Sequence, residues 1–127
     1  MPYGKVLIVD DMRSNLDVIK LLLTPYQLEV DTADSGRETI ELIQGGKIFD
    51  IIFIDHIMPE MDGIETVKKL RETGYTHPIV ALTSNAESGI REFFLSNGFD
   101  DFLSKPVNIF LLNDILNVMI RGKYKSG

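Results

Sequence analysis

Two hydrophobic periods alternate along the chain. Lys5 is followed by the apolar run Val6-Leu7-Ile8-Val9, which closes on two acids, Asp10 and Asp11. Residues 10–23 then carry Leu16, Ile19 and Leu23 at i, i+3 and i+7, one face of a helix that Pro25 stops. Residues 28–33 alternate weakly, as a strand does. Ser35-Gly36-Arg37-Glu38 is a capping-box pattern that opens a second helix, and Gly45-Gly46 closes it. Ile51-Ile52-Phe53-Ile54 is apolar on both faces, which predicts a central parallel strand covered on each side. Asp62-Gly63-Ile64-Glu65 starts a third helix with Ile64, Val67 and Leu70 facing inward, ended by Gly74. Residues 78–82 form a fourth strand. Asn85 caps a fourth helix running to Asn97-Gly98, and residues 99–103 form a fifth strand. Residues 108–120 form a fifth helix with Leu111, Ile115 and Val118 on one stripe.

Strands alternating with helices predict a parallel sheet with right-handed crossovers and helices on both faces, a three-layer α/β/α sandwich. The length of 127 residues accommodates one domain, read here as 4–121, with 122–127 a short basic tail. The absence of cysteine excludes disulfides, thiolate metal sites and cysteine nucleophiles. No apolar run reaches the roughly 18 residues of a membrane span, and the N-terminus lacks the pattern of a secretory signal, so a cytoplasmic domain without membrane contact is expected. The net charge of −6 argues against direct nucleic-acid binding, which needs clustered Lys and Arg. The acid excess has a second meaning if some carboxylates are gathered in one place.

Sheets of this kind place their sites at the carboxyl ends of the strands. Those ends carry Asp10-Asp11 on strand one, Asp55 on strand three, Thr83-Ser84 on strand four and Ser104-Lys105-Pro106 on strand five. An Asp after a strand is ordinarily a turn former or helix cap. Three of them on one rim, with Lys and Thr completing the set, is another matter. Two carboxylates about 5 Å apart repel by roughly 3 kcal/mol at an effective dielectric near 20. A divalent cation removes that objection, and oxygen-only ligands select a hard ion such as Mg²⁺. A carboxylate in line with a phosphoryl group can then act as a nucleophile. Mg²⁺ and Lys105 would neutralise the phosphoryl oxygens, and Thr83 would donate a hydrogen bond to them.

Val9-Asp10-Asp11, Asp55-His56-Ile57-Met58-Pro59-Glu60-Met61-Asp62-Gly63, Thr83-Ser84-Asn85 and Lys105-Pro106 resemble a response-regulator receiver domain over residues 5–120. The resemblance implies a flavodoxin-like sheet of order 2-1-3-4-5. It implies that Asp55 is the phosphoacceptor, and that Asp10, Asp11, Asp55 and the backbone carbonyl of Ile57 hold Mg²⁺. It makes Thr83 the switch hydroxyl, Lys105 the partner of the phosphoryl group and Phe102 the switch aromatic. It also implies a cis Lys105-Pro106 bond. The implied donor is a phosphohistidine on a histidine kinase or histidine phosphotransfer domain. The implied readout is a changed face of helix four, strand five and helix five, felt by an output domain or protein.

Ile57 and Asn85 occupy positions that tune aspartyl-phosphate hydrolysis in such domains, and the apolar Ile57 cannot orient an attacking water. His56 reads as an exposed loop residue, not a metal ligand. His77 has no chemical partners in the sequence, and Met58 and Met61 read as loop packing. Three rivals are weaker. A flavin carrier needs a Ser/Thr/Gly-rich phosphate loop where Asp10-Asp11-Met12-Arg13 stands. A haloacid-dehalogenase-like hydrolase needs Asp-x-Asp, which neither acidic motif supplies. A degenerate receiver acting only as an interaction module would lack key side chains that are present here. The run from Asp100 to Pro106 resembles receivers attached to hybrid sensor histidine kinases, so a domain of such a kinase is expected in preference to a free-standing receiver.

Overall fold

The apolar runs become strands and the amphipathic segments become helices. The computed structural model describes residues 4–84 and 87–121. The strands are β1 (Gly4–Val9), β2 (Leu28–Ala33), β3 (Ile51–Asp55), β4 (Ile79–Thr83) and β5 (Asp101–Ser104). Between them lie α1 (Arg13–Leu23), α2 (Gly36–Gln44), α3 (Gly63–Glu72) and α4 (Ile90–Ser96), and α5 (Ile109–Leu116) continues into a π-helical turn, Asn117–Arg121. All pairings are parallel, and the sheet order is β2-β1-β3-β4-β5.

β3 and β4 are buried at every position, because helices cover both faces of the sheet. On one face Leu16, Ile19 and Leu23 of α1 and Leu112, Ile115 and Leu116 of α5 pack on Val6, Ile8 and Phe53. On the other, Val67 and Leu70 of α3 and Phe94 of α4 pack on Leu7, Ile52 and Ile54, with Ile40 of α2 beside them. The order reverses between β1 and β3, and a crevice therefore opens at their carboxyl ends.

α3 and α2 start on the predicted cap residues, though only α3 closes a capping box. Asp62 Oδ1 accepts from the Glu65 amide at 2.9 Å and Glu65 accepts from the Asp62 amide, a complete capping box for α3. At α2, Ser35 Oγ accepts from the Glu38 amide, while the Glu38 carboxylate accepts from the amide of Asp34, one residue earlier than a closed box requires.

Three expectations are corrected. α4 begins at Ile90, because Gly89 takes a left-handed φ of 87° and closes a turn in front of the helix. Asn85, the predicted cap, lies outside the described residues, as do residues 122–127, the predicted tail. β5 begins at Asp101 and not at Phe99, whose amide is taken by the carbonyl of Phe94 in α4; bonding to β4 opens with the Asp100 amide on the Ile79 carbonyl. The inward stripe of α5 is Leu112, Ile115 and Leu116, continued by Ile120 of the π-helical turn, whereas Leu111 and Val118 are exposed. α5 is apolar nearly all round, so periodicity alone does not select its inner face.

Candidate functional site

Asp10 and Asp11 follow β1, Asp55 ends β3, Thr83 ends β4 and Lys105 follows β5. One carboxylate oxygen from each of Asp10, Asp11 and Asp55 lies within 4.8 Å of the others. Asp10, Asp55 and Thr83 are buried, and Asp11 is exposed at the rim. The Lys105 ammonium sits 2.6 Å from Asp55 Oδ1 and 3.6 Å from Asp10 Oδ2. The Lys105 amide donates to the carbonyl of Thr83 at 2.7 Å, which ties the lysine's backbone to the end of β4. The Lys105-Pro106 bond is cis, as expected. Asp10 Oδ1 accepts from the Met12 amide at 2.9 Å, whereas its buried Oδ2 has no hydrogen-bond partner, the ammonium being too distant for one.

The electrostatics are strained without a further cation. Burial lifts the Asp55 carboxyl above its usual range, the hydrogen bond to Lys105 works against this, and the charges of Asp10 and Asp11 add to the rise. Burial pushes the Lys105 ammonium down, but its bond to Asp55 and the carboxylates around it push harder, and the net direction is upward. An acid raised in the folded state holds its proton more tightly there than in the unfolded chain. Its contribution to stability is therefore greatest in acid and falls as pH rises from the ordinary value of 3.8 through the raised one. Without divalent cations, Asp55→Asn is thus expected to melt higher than the native chain at pH 7, with the gap closing as pH falls toward 4. Calorimetry at both pH values checks this, and equal melting points at pH 7 would refute a costly Asp55 charge.

The family model for the response regulator receiver domain matches residues 6–117. The chain belongs to the response regulator receiver domain family. It is 34% identical to hybrid signal transduction histidine kinase I of Dictyostelium discoideum, a match covering 91% of this chain and 7% of that protein. It is also 34% identical to two-component response regulator 24 of Arabidopsis thaliana, covering 87% of this chain and 80% of the relative. Among solved structures, the co-crystal of the Saccharomyces cerevisiae histidine phosphotransfer protein Ypd1 with the receiver domain of its downstream regulator Ssk1 matches with a TM-score of 0.83 and 27% identity, covering 93% of this chain and 89% of that one. The chain is a receiver domain of two-component phosphorelay signalling, on the flavodoxin-like receiver fold.

The receiver's expected site residues fall into two groups. Asp10, Asp11, Asp55 and Lys105 meet in one cluster, with Thr83 beside them at the end of β4. Phe102 lies apart from it, half-buried on β5 and stacked on Phe94 at 5.9 Å. Ile57 sits after β3 and is 67% exposed. His56 corrects an expectation, since its ring is half-buried against Phe93 and Phe94 of α4. The period of two along β3 carries the missed signal, because His56 shares a face with Ile52 and Ile54. Gly63, read in the sequence as part of a helix start and of the receiver motif, also supports the site. Its amide donates to the carbonyl of His56 at 2.9 Å, and a Cβ there would come within 2.6 Å of the Asp55 carbonyl.

Proposed function

We propose that Asp55 accepts a phosphoryl group from a phosphohistidine on a histidine kinase or histidine phosphotransfer domain. The Asp55 carboxylate attacks phosphorus, the P–N bond breaks, and the imidazole leaves with the electron pair and takes up a proton. The observation that carries the proposal is the pairing of buried Asp55 with the Lys105 ammonium at 2.6 Å, beside two further carboxylates, at the switch point of the sheet. The buried Asp10 Oδ2, which has no hydrogen bond, and the all-oxygen donor set fit a hard divalent ion. Asp10, Asp11, Asp55 and the Ile57 carbonyl would hold Mg²⁺, which supplies charge neutralisation at the phosphoryl oxygens when bound. Lys105 would turn from Asp55 to a phosphoryl oxygen, and the Thr83 hydroxyl would donate to another. Phe102 would follow Thr83 and alter the face of α4, β5 and α5, which an output domain or protein reads.

The net charge of −6 supports signalling through protein partners and argues against direct nucleic-acid contact by this domain. Among the described residues no helix is long and apolar enough to cross a membrane. The chain's 7% share of the Dictyostelium kinase is compatible with a receiver embedded in a hybrid kinase, and we place it in that setting.

Incubation with acetyl phosphate and Mg²⁺ tests the site. One phosphoryl group per chain is expected, labile to hydroxylamine and absent when EDTA is present. No incorporation from either acetyl phosphate or a phosphohistidine donor would leave only an interaction module. The exposed Ile57 offers no group to orient water at the acyl phosphate. Ile57→Asn is therefore expected to shorten the phosphate's lifetime several-fold, by about 1 kcal/mol in barrier. A decay rate equal to the native one would show that position 57 does not set it.

A further inference from the structure

We propose that His56 is a positioning residue that couples the loop carrying Asp55 to α4 through the ring of Phe94. The inference rests on the reading of Asp55 as the phosphoacceptor. The backbone of His56 is fixed on two sides: its amide donates to the Leu82 carbonyl of β4 and its carbonyl accepts from Gly63 at the start of α3, each at 2.9 Å. Its side chain lies on the Ile52 and Ile54 face of β3, where the imidazole meets Phe94 edge-on at 5.1 Å and Phe93 at 5.9 Å.

Phe94 is wholly buried and is the hub of a ring cluster. It contacts Phe93 at 5.3 Å, Phe99 at 5.1 Å and Phe102 at 5.9 Å, the last with nearly parallel planes. One ring therefore touches both the residue covalently next to the acceptor and the aromatic of β5, three residues before Lys105. A close-packed aromatic cluster does not deform continuously. A rearrangement of Phe102 has to be met by Phe94, and Phe94 cannot shift without displacing His56 or opening a gap beside it. His56 thus adds a second route between Asp55 and α4, on the sheet face opposite α1 and α5. Because coupling free energies are reciprocal, a partner that holds α4 would in turn bias the binding equilibrium at Asp55.

The test uses the full chain with Mg²⁺ and beryllium fluoride, a phosphoryl mimic, followed by amide chemical shifts. In the native chain, residues of the site (Asp11, Lys105) and of α4 (Ile90–Ser96) should both respond. His56→Ala should keep the site response while the α4 response falls by about two-fold or more. His56→Phe, which restores a ring against Phe94, should recover it. His56→Gln, which fills volume without an aromatic face, should lose it as Ala does, so a destabilised Ala variant does not decide the matter alone. An α4 response of native size in both His56→Ala and His56→Gln would overturn the coupling. Native site residues that do not respond at all would overturn the reading of Asp55, and the coupling with it.

Discussion

Asp55→Asn is expected to lose phosphoryl uptake from a phosphohistidine donor, by on the order of 10³-fold or more, since the variant lacks the attacking oxygen. The amide preserves shape and can still accept the Lys105 hydrogen bond now made at 2.6 Å. The loss would therefore belong to nucleophilicity and not to a collapsed site. Asp10 and Asp11 cannot substitute. Both are proposed as ligands of the cation, and the Lys105 ammonium lies 2.6 Å from Asp55 but 3.6 Å from Asp10. Transfer of radiolabelled phosphate from a phosphorylated histidine phosphotransfer domain measures the effect. Undiminished labelling of the variant would move the acceptor to another residue.

Gly63→Ala is expected to impair both folding and phosphorylation. The added methyl would stand 2.6 Å from the Asp55 carbonyl oxygen and 3.2 Å from His56 Cα, both backbone atoms that no rotamer change can move. The loop after β3 would have to shift, at a cost of about 1–3 kcal/mol. A displacement approaching 1 Å at the nucleophile is worth about 10²-fold in rate. Gly46→Ala is the control. Gly46 has a φ of 98°, and a methyl added there would meet nothing within 4 Å, so the change should cost about 1 kcal/mol through backbone conformation. Its phosphorylation rate should match the native chain. Thermal melts and acetyl phosphate time courses on both variants separate the two effects. Native rates in Gly63→Ala would show that the site tolerates movement of this loop.

The surroundings of His56 show where reading along the chain stops. Its neighbour Asp55 is identifiable because strand ends and carboxylates have a joint chemical meaning. His56 and Phe94 touch although they are far apart in sequence, and no local pattern reports which helix covers β3 there. α5 shows the same limit in another form. Its apolar residues satisfy two helical stripes, and only packing on Val6, Ile8 and Phe53 selects Leu112, Ile115 and Leu116 over Leu111 and Val118.

The sequence by itself determined the order of elements, the two-sided burial of β3, the caps at Ser35 and Asp62, and the membership of the acidic rim. Each of these depends on residue type and near-neighbour spacing, which a linear chain displays. Tertiary structure decided that Asp10, Asp11 and Asp55 come within 4.8 Å, that Lys105 pairs with Asp55, that Asp10 Oδ2 is left without a hydrogen bond, and that rings from α4, β5 and the end of β3 meet at Phe94. Those facts depend on how crossovers bring distant strand ends together and on which side chains are then withdrawn from water. Burial and distance set the strength of every charge and contact in the site, and neither quantity exists until the sheet is assembled.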